Sequence, residues 1–220
     1  MIRGHFIVFE GIDGSGTTTQ AAALAARYAS IKLPAHTTAE PSTGPVGALI
    51  RQILGGRLVV QSVQGLVSPT WKSMTLLFAA DRQDHIEAEI NPNLEDGVTV
   101  ICDRYVYSSI IYQGLCSENK GAEDWIRAVN RFAVNPDLVF YLKVDPHEAL
   151  RRRTERDRKI ELFDDPDFQC RLAEAYERMP AMFPDTRIVT IDGNAKAEEV
   201  ASQCWLEVER LRKLGAPGIG

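Results

Sequence analysis

The chain has 220 residues, 45% of them apolar, and a formal net charge of −5. One α/β domain with a sizeable core is the simplest reading of that composition, although two small domains would also fit. The negative balance leaves no general basic surface to recommend a nucleic acid as partner. Cys102, Cys116, Cys170 and Cys204 are scattered with no C-x-x-C pair. Zinc and disulfide frameworks are therefore not indicated, and reduced core thiols are expected. No apolar run approaches membrane length, and a core strand starts at residue 6, which leaves no room for a signal peptide. No membrane contact and cytoplasmic residence are the expectations.

Phe6 to Phe9 reads as a strand buried on both faces, and the alanine-rich stretch Thr18 to Ala29 as a helix. Between them lies Gly11-Ile12-Asp13-Gly14-Ser15-Gly16-Thr17-Thr18-Thr19. Gly11, Gly16 and Thr18 take their places in the phosphate-loop pattern G-x-x-x-x-G-K-[ST], with Thr17 where lysine belongs. Glycines let successive N–H groups turn inward on a phosphate, and the helix amino terminus adds partial positive charge. Thr18 would offer its hydroxyl to magnesium. Nucleotide binding is strongly implied. Catalysis is implied too, but put in question, because the missing lysine normally places a point charge on the outer phosphates.

Further strands are expected over Val98 to Cys102, Leu138 to Val144 and Arg187 to Ile191, with Leu33 to Thr38 a weaker candidate. Helical patterns cover Val46 to Leu54, Trp71 to Ile90, Ala122 to Val134, His147 to Arg156, Pro166 to Met179 and Lys196 to Leu214. Strands and helices thus alternate as a parallel sheet requires. Residues 215–220 read as a flexible tail.

Four blocks in order resemble the thymidylate kinase family: Phe9 to Gln20, Leu76-Leu77-Phe78-Ala79-Ala80-Asp81-Arg82, Asp103-Arg104-Tyr105 with Ser108, and Tyr112-Gln113-Gly114. The similarity runs from residue 6 to about residue 193. It implies a three-layer P-loop NTPase fold with a five-stranded parallel sheet flanked by helices. One kinase domain over 1–220 would carry a short arginine-rich lid over about 151–165. The implied reaction is transfer of a phosphoryl group from ATP to dTMP with Mg²⁺, and the implied assembly is a homodimer. Kinases for other nucleoside monophosphates, or a nucleotide-binding protein weakened in catalysis, are the competing readings.

The resemblance also implies roles. Phe78 and Arg82 stand four apart, hence on one helix face, and the family uses these positions for thymine. Each alone could equally be a core ring and a solvated charge. Arg104 would grip the acceptor monophosphate and Asp103 would help hold magnesium, both at the carboxyl edge of the sheet; the bland alternative is an ion pair between the two. Asp13 would face the acceptor's 3′-hydroxyl, and a carboxylate in that loop needs a partner to be tolerated. Tyr112 would lie under the sugar and disfavour a 2′-hydroxyl. Gln113 would line the base pocket or sit in a solvated loop.

The run Arg151-Arg152-Arg153-Thr154-Glu155-Arg156-Asp157-Arg158-Lys159 begins on a helix and enters the expected lid. Relatives without an arginine in the phosphate loop carry the catalytic arginine in the lid. Ser15 puts this chain in that group, and Arg153, Arg156 and Arg158 are the candidates. Without a ligand the segment is expected to be mobile or far from the loop. Besides Thr17, Ala39 replaces the arginine of the usual T-R-E-P and Lys143 the aspartate of the usual Y-L-D-V. Lys143 either stands in for the loop lysine or pairs with Glu10, Asp103 or Asp145.

Overall fold

The computed structural model describes residues 3–63, 65–117, 119, 121–155 and 165–214. Its strands are β1 (Phe6–Glu10), β2 (Ala35–Ala39), β3 (Val60–Ser62), β4 (Gly65–Val67), β5 (Thr99–Asp103), β6 (Leu138–Lys143) and β7 (Ile188–Asp192). Its helices are α1 (Thr17–Ser30), α2 (Pro45–Leu54), α3 (Trp71–His85), α4 (Asn91–Glu95), α5 (Val106–Ser117), α6 (Ala122–Val129), α7 (Pro146–Glu155), α8 (Pro166–Glu177), α9 (Met179–Met182) and α10 (Ala197–Leu214).

Five strands form a parallel sheet in the order β2-β5-β1-β6-β7, as the α/β alternation requires. Strand β1 lies at its centre, paired with β5 on one side and β6 on the other. Central parallel strands meet helices on both faces, which is why β1 runs apolar from Phe6 to Phe9 instead of alternating. Phe6 and Val8 point into one core with Val100, Cys102, Val139, Tyr141 and Tyr176. Ile7 and Phe9 point into the other with Leu24, Ile101, Phe140 and Val208. Phe9 and Phe140 stack there with ring centroids 5.0 Å apart. Each face thereby gains aromatic packing beyond its buried area.

Several elements differ from expectation. The segment after Arg104 is the helix α5, not a loop, and its apolar side is buried. The long helix from Trp71 widens into a π-turn over Ile86–Ile90 before α4. Pro92 has no N–H to return to the preceding turn, and such insertions are where α-helices expand. A short hairpin, β3-β4, precedes α3 and was not anticipated because each arm has only three residues. Of the cysteines, Cys102 and Cys204 are core thiols, whereas Cys116 is partly buried and Cys170 exposed. No helix among the described residues is long and apolar enough to cross a membrane.

Candidate active site

The phosphate loop joins β1 to α1. Gly14 (φ +91) and Gly16 (φ +96) take left-handed backbone that side chains rarely adopt. A Cβ at Gly14 would also lie 2.4 Å from the Ala149 carbonyl oxygen, so α7 rests directly on the loop. Ser15 donates its N–H to the Ile12 carbonyl at 3.0 Å, closing the turn, and Gly16 caps α1. Thr17, 6% exposed, brings no charge. Thr18 at the exposed start of α1 donates its hydroxyl to Asp103 Oδ2, while Asp103 Oδ1 is buried with no partner.

The end of β1 organises the loop's neighbour. Glu10 is fully buried and accepts from Tyr105 N (2.9 Å), Ser108 N (3.2 Å), Ser108 Oγ (2.6 Å) and Tyr176 Oη (3.0 Å). A carboxylate here satisfies the open N–H groups at the start of α5. Burial pushes its carboxyl above the usual range, opposed by the Ser108 hydrogen bond and the Arg104 charge. Arg104 follows β5 with φ +67, an uncommon conformation for a residue with a Cβ, and so turns back towards the loop. Its Nη2 meets Asp13 Oδ1 at 2.6 Å and its Nη1 meets the Gly11 carbonyl at 2.7 Å. The partner that Asp13 needs is therefore Arg104, and the expected alternative of an Asp103–Arg104 pair is not formed. The Arg104 guanidinium also sits over the Tyr112 ring, 5.5 Å from its centroid.

Phe78 and Arg82 line one cavity, as their spacing on α3 suggests. Arg82 is not a solvated charge. Its Nη2 donates to Glu40 Oε2 (2.6 Å) and Ser109 Oγ (2.8 Å), and its Nη1 to Asn130 Oδ1. The Nε–H alone lacks a partner. Glu40 in turn meets His85 Nδ1 at 3.3 Å, and Thr38 Oγ1 lies 2.7 Å from His85 Nε2. Gln113, on α5, is 3% exposed with Oε1 unpartnered, so the solvated-loop alternative fails.

This cavity, about 370 Å³, is framed by Asp13, Thr18, Phe78, Arg82, Asp103 and Arg104 on its several sides, and Ser108, Tyr112 and Gln113 also line it. A second of about 440 Å³ lies across the loop, between Gly14 to Gly16, the Glu148 to Glu155 length of α7 and the Gly193 to Ala197 segment. Arg153 is 7% exposed and its Cγ packs on Gly14, so it lies against the loop without any ligand, contrary to expectation. Arg156 and Arg158 lie outside the described residues.

Lys143 does not reach the loop. Strand β6 does lie beside β1, yet Lys143 shares strand parity with Tyr141, which stacks on Tyr176 of α8. Its ammonium meets Glu177 Oε1 at 2.7 Å, and its side chain is 54% exposed. None of the three partners foreseen for it is the one it takes. Arg51, Glu40, Asn130, Ser109 and Arg152 were missed as site residues. Arg51 lines the first cavity, tied by Nη1 to the Pro41 carbonyl at 2.8 Å. Two of them carried a signal: Glu40 follows Ala39 in the stretch that matches T-R-E-P, and Arg152 lies in the basic run that opens at Arg151.

A phosphate loop at the carboxyl edge of a parallel sheet, between two cavities rich in arginine, defines a P-loop kinase of the nucleoside monophosphate type. A family model described as Thymidylate kinase matches residues 9–204. The chain is 40% identical over 189 residues to a probable thymidylate kinase of Pyrococcus horikoshii, covering 86% of this chain and 88% of the relative. It is 39% identical over 199 residues to a probable thymidylate kinase of Methanocaldococcus jannaschii, covering 90% and 92%. A probable thymidylate kinase of Thermococcus kodakarensis is 38% identical over 212 residues, covering 94% and 98%. The chain belongs to the thymidylate kinase family.

Proposed function

We propose that this chain transfers the γ-phosphoryl group of ATP to dTMP, giving dTDP and ADP. The observation that carries the reading is the pair of cavities meeting at the phosphate loop. One holds an aromatic face, a buried arginine N–H and several cations, which suits a pyrimidine monophosphate. The other runs from the loop along α7 and suits the donor nucleotide. Phe78 would stack on the thymine, and the free Nε–H of Arg82 would meet a ring carbonyl. Gln113 would line the base pocket and Tyr112 lie under the deoxyribose. Arg104 would hold the acceptor phosphate with Ser108 behind it, and Asp13 would fix Arg104 while facing the 3′-hydroxyl. Arg153, with Arg156 and Arg158, would act on the transferring phosphoryl group.

Thr18 and Asp103 fit a divalent cation of the magnesium kind. Both offer oxygens, they already touch, and Asp103 Oδ1 has a ligand position to spare. Bound there, Mg²⁺ would neutralise charge on the donor phosphates. The protein's own part is to orient the two phosphates and exclude water, since this transfer needs little covalent help.

A coupled ADP-release assay with dTMP, dUMP, dCMP, dGMP and UMP tests the reading. dTMP is expected to have the highest kcat/KM and UMP a value lower by at least tenfold. Equal use of UMP would overturn the pocket assignment, and no turnover of any acceptor would overturn the kinase. The family likeness also supports a homodimer, expected at twice the chain mass in light scattering, and cytoplasmic residence with small-molecule partners.

A further inference from the structure

Glu40 and Arg82 line the acceptor cavity, whereas His85, one turn further along α3, stands behind them and does not. The His85 side chain has no exposed surface, and those of Glu40 and Arg82 are exposed by 3% and 1%. An imidazole buried that deeply beside an ion pair needs a partner at each nitrogen.

His85 finds both. Its Nδ1 lies 3.3 Å from Glu40 Oε1, and its Nε2 lies 2.7 Å from Thr38 Oγ1. A carboxylate oxygen only accepts, so the proton on the Glu40 side belongs to Nδ1. Glu89 closes the outer side with Oε2 3.6 Å from Nε2, while its Oε1 meets His36 Nε2 at 2.5 Å. It stands on the π-turn that begins directly after His85, and turns widened in this way are frequent at functional sites.

The backbone around Glu40 is fixed already. Its N–H donates to the Asp103 carbonyl at 3.1 Å, and Ser42, two residues on, donates from N and Oγ to Asp81 at 2.7 and 2.6 Å. Rotation of the Glu40 side chain is what remains. Arg82 takes Oε2 at 2.6 Å and His85 takes Oε1 at 3.3 Å, and the two contacts together set the plane of the carboxylate. That plane governs the roll of the Arg82 guanidinium, which sits over the Tyr105 ring 5.2 Å from its centroid with Nε–H unpartnered.

We propose that His85 is a positioning residue for base selection: by fixing Glu40 from behind, it orients Arg82 so that the remaining N–H tells the carbonyl of thymine from the amino group of cytosine. This rests on the acceptor reading above. A fixed donor pairs with a carbonyl and is left unpaired against another donor, which is how a polar pocket rejects the wrong ring. His85 itself touches no substrate and moves no proton. A misaligned Arg82 weakens one base contact and leaves the phosphates where they are, so the effect falls on acceptor choice and KM instead of kcat.

Three variants separate the two nitrogens. His85→Asn places an amide N–H where Nδ1 stands, His85→Gln places one where Nε2 stands, and His85→Ala removes both. The acceptors dUMP and dCMP differ along one ring edge, carbonyl against amino. With folding confirmed by circular dichroism, His85→Ala and His85→Gln should lower the dUMP-to-dCMP ratio of kcat/KM about tenfold and raise KM for dTMP by a similar factor, with kcat within about threefold of the parent. His85→Asn should keep the ratio within about twofold. A folded His85→Ala with the parent's ratio overturns the proposal, and so do Asn and Gln variants that lose it alike, since the histidine then only fills space. Nitrogen-15 NMR of the parent needs no variant: the His85 ring should be protonated at Nδ1, and a ring protonated at Nε2 alone also overturns it. A parent that uses dUMP and dCMP equally, or turns over no acceptor at all, brings down the acceptor reading itself and the proposal with it.

Discussion

Arg82 carries a full positive charge with essentially none of its surface exposed. Glu40 supplies its counter-charge, and Asn130 and Ser109 take two more of its N–H groups. Removing one member of such a buried pair leaves the other uncompensated, which costs about 3–5 kcal/mol. Arg82→Ala is therefore expected to lose about that much stability in urea denaturation, as well as acceptor affinity. A variant as stable as the parent would show that Glu40 finds another partner. Arg104 differs in kind. It is partly exposed and held by Asp13, with its backbone in the left-handed region, so it is oriented towards the loop before any substrate arrives.

At the scale of elements, α7 is the piece whose placement matters most, because it meets the loop at Gly14 and presents Arg152 and Arg153 to the cavities. Its first turn carries Glu148, whose carboxyl is pushed down to about 2 by hydrogen bonds from Arg151 and then Arg152. A carboxyl lowered in the folded state stabilises above its unfolded value of about 4.5 and loses that contribution as pH falls towards 2. The Glu148 clamp on Arg152 thus persists across the neutral range. Carboxyl-carbon NMR of Glu148 should titrate well below 4 in the folded protein. A midpoint at the ordinary carboxylate value would mean that neither arginine is held as seen.

For the whole molecule, β1 feeds both faces of the sheet, so neither core is complete without the other. Heat or denaturant should therefore unfold the chain in one transition. The tryptophans report the two sides separately: Trp205 packs on Tyr28 beside α1, and Trp71 on Trp125 beside α5. Single-tryptophan variants and far-ultraviolet circular dichroism should give coincident midpoints. Separate midpoints would show that the chain is two cooperative units instead of one.

The sequence by itself determined the loop with its threonine, the alternation of strands and helices, and the family, because glycine spacing and apolar periodicity are local properties of the chain. The π-turn, the hairpin and α5 were less legible, since short or two-sidedly buried segments leave weak periodicity. The partners of the site residues were decided only in three dimensions. Arg104 meets Asp13 across 91 positions, and Arg82 meets Asn130 across 48. Lys143 lay in the expected strand beside β1 and still took the opposite side, because the face a strand residue occupies follows from parity and the helix docked there. Arg152 is one of several arginines in a row by sequence. It becomes the cation between two cavities because α7 is seated on Gly14, a contact set by how helix and sheet pack rather than by any pattern in the chain.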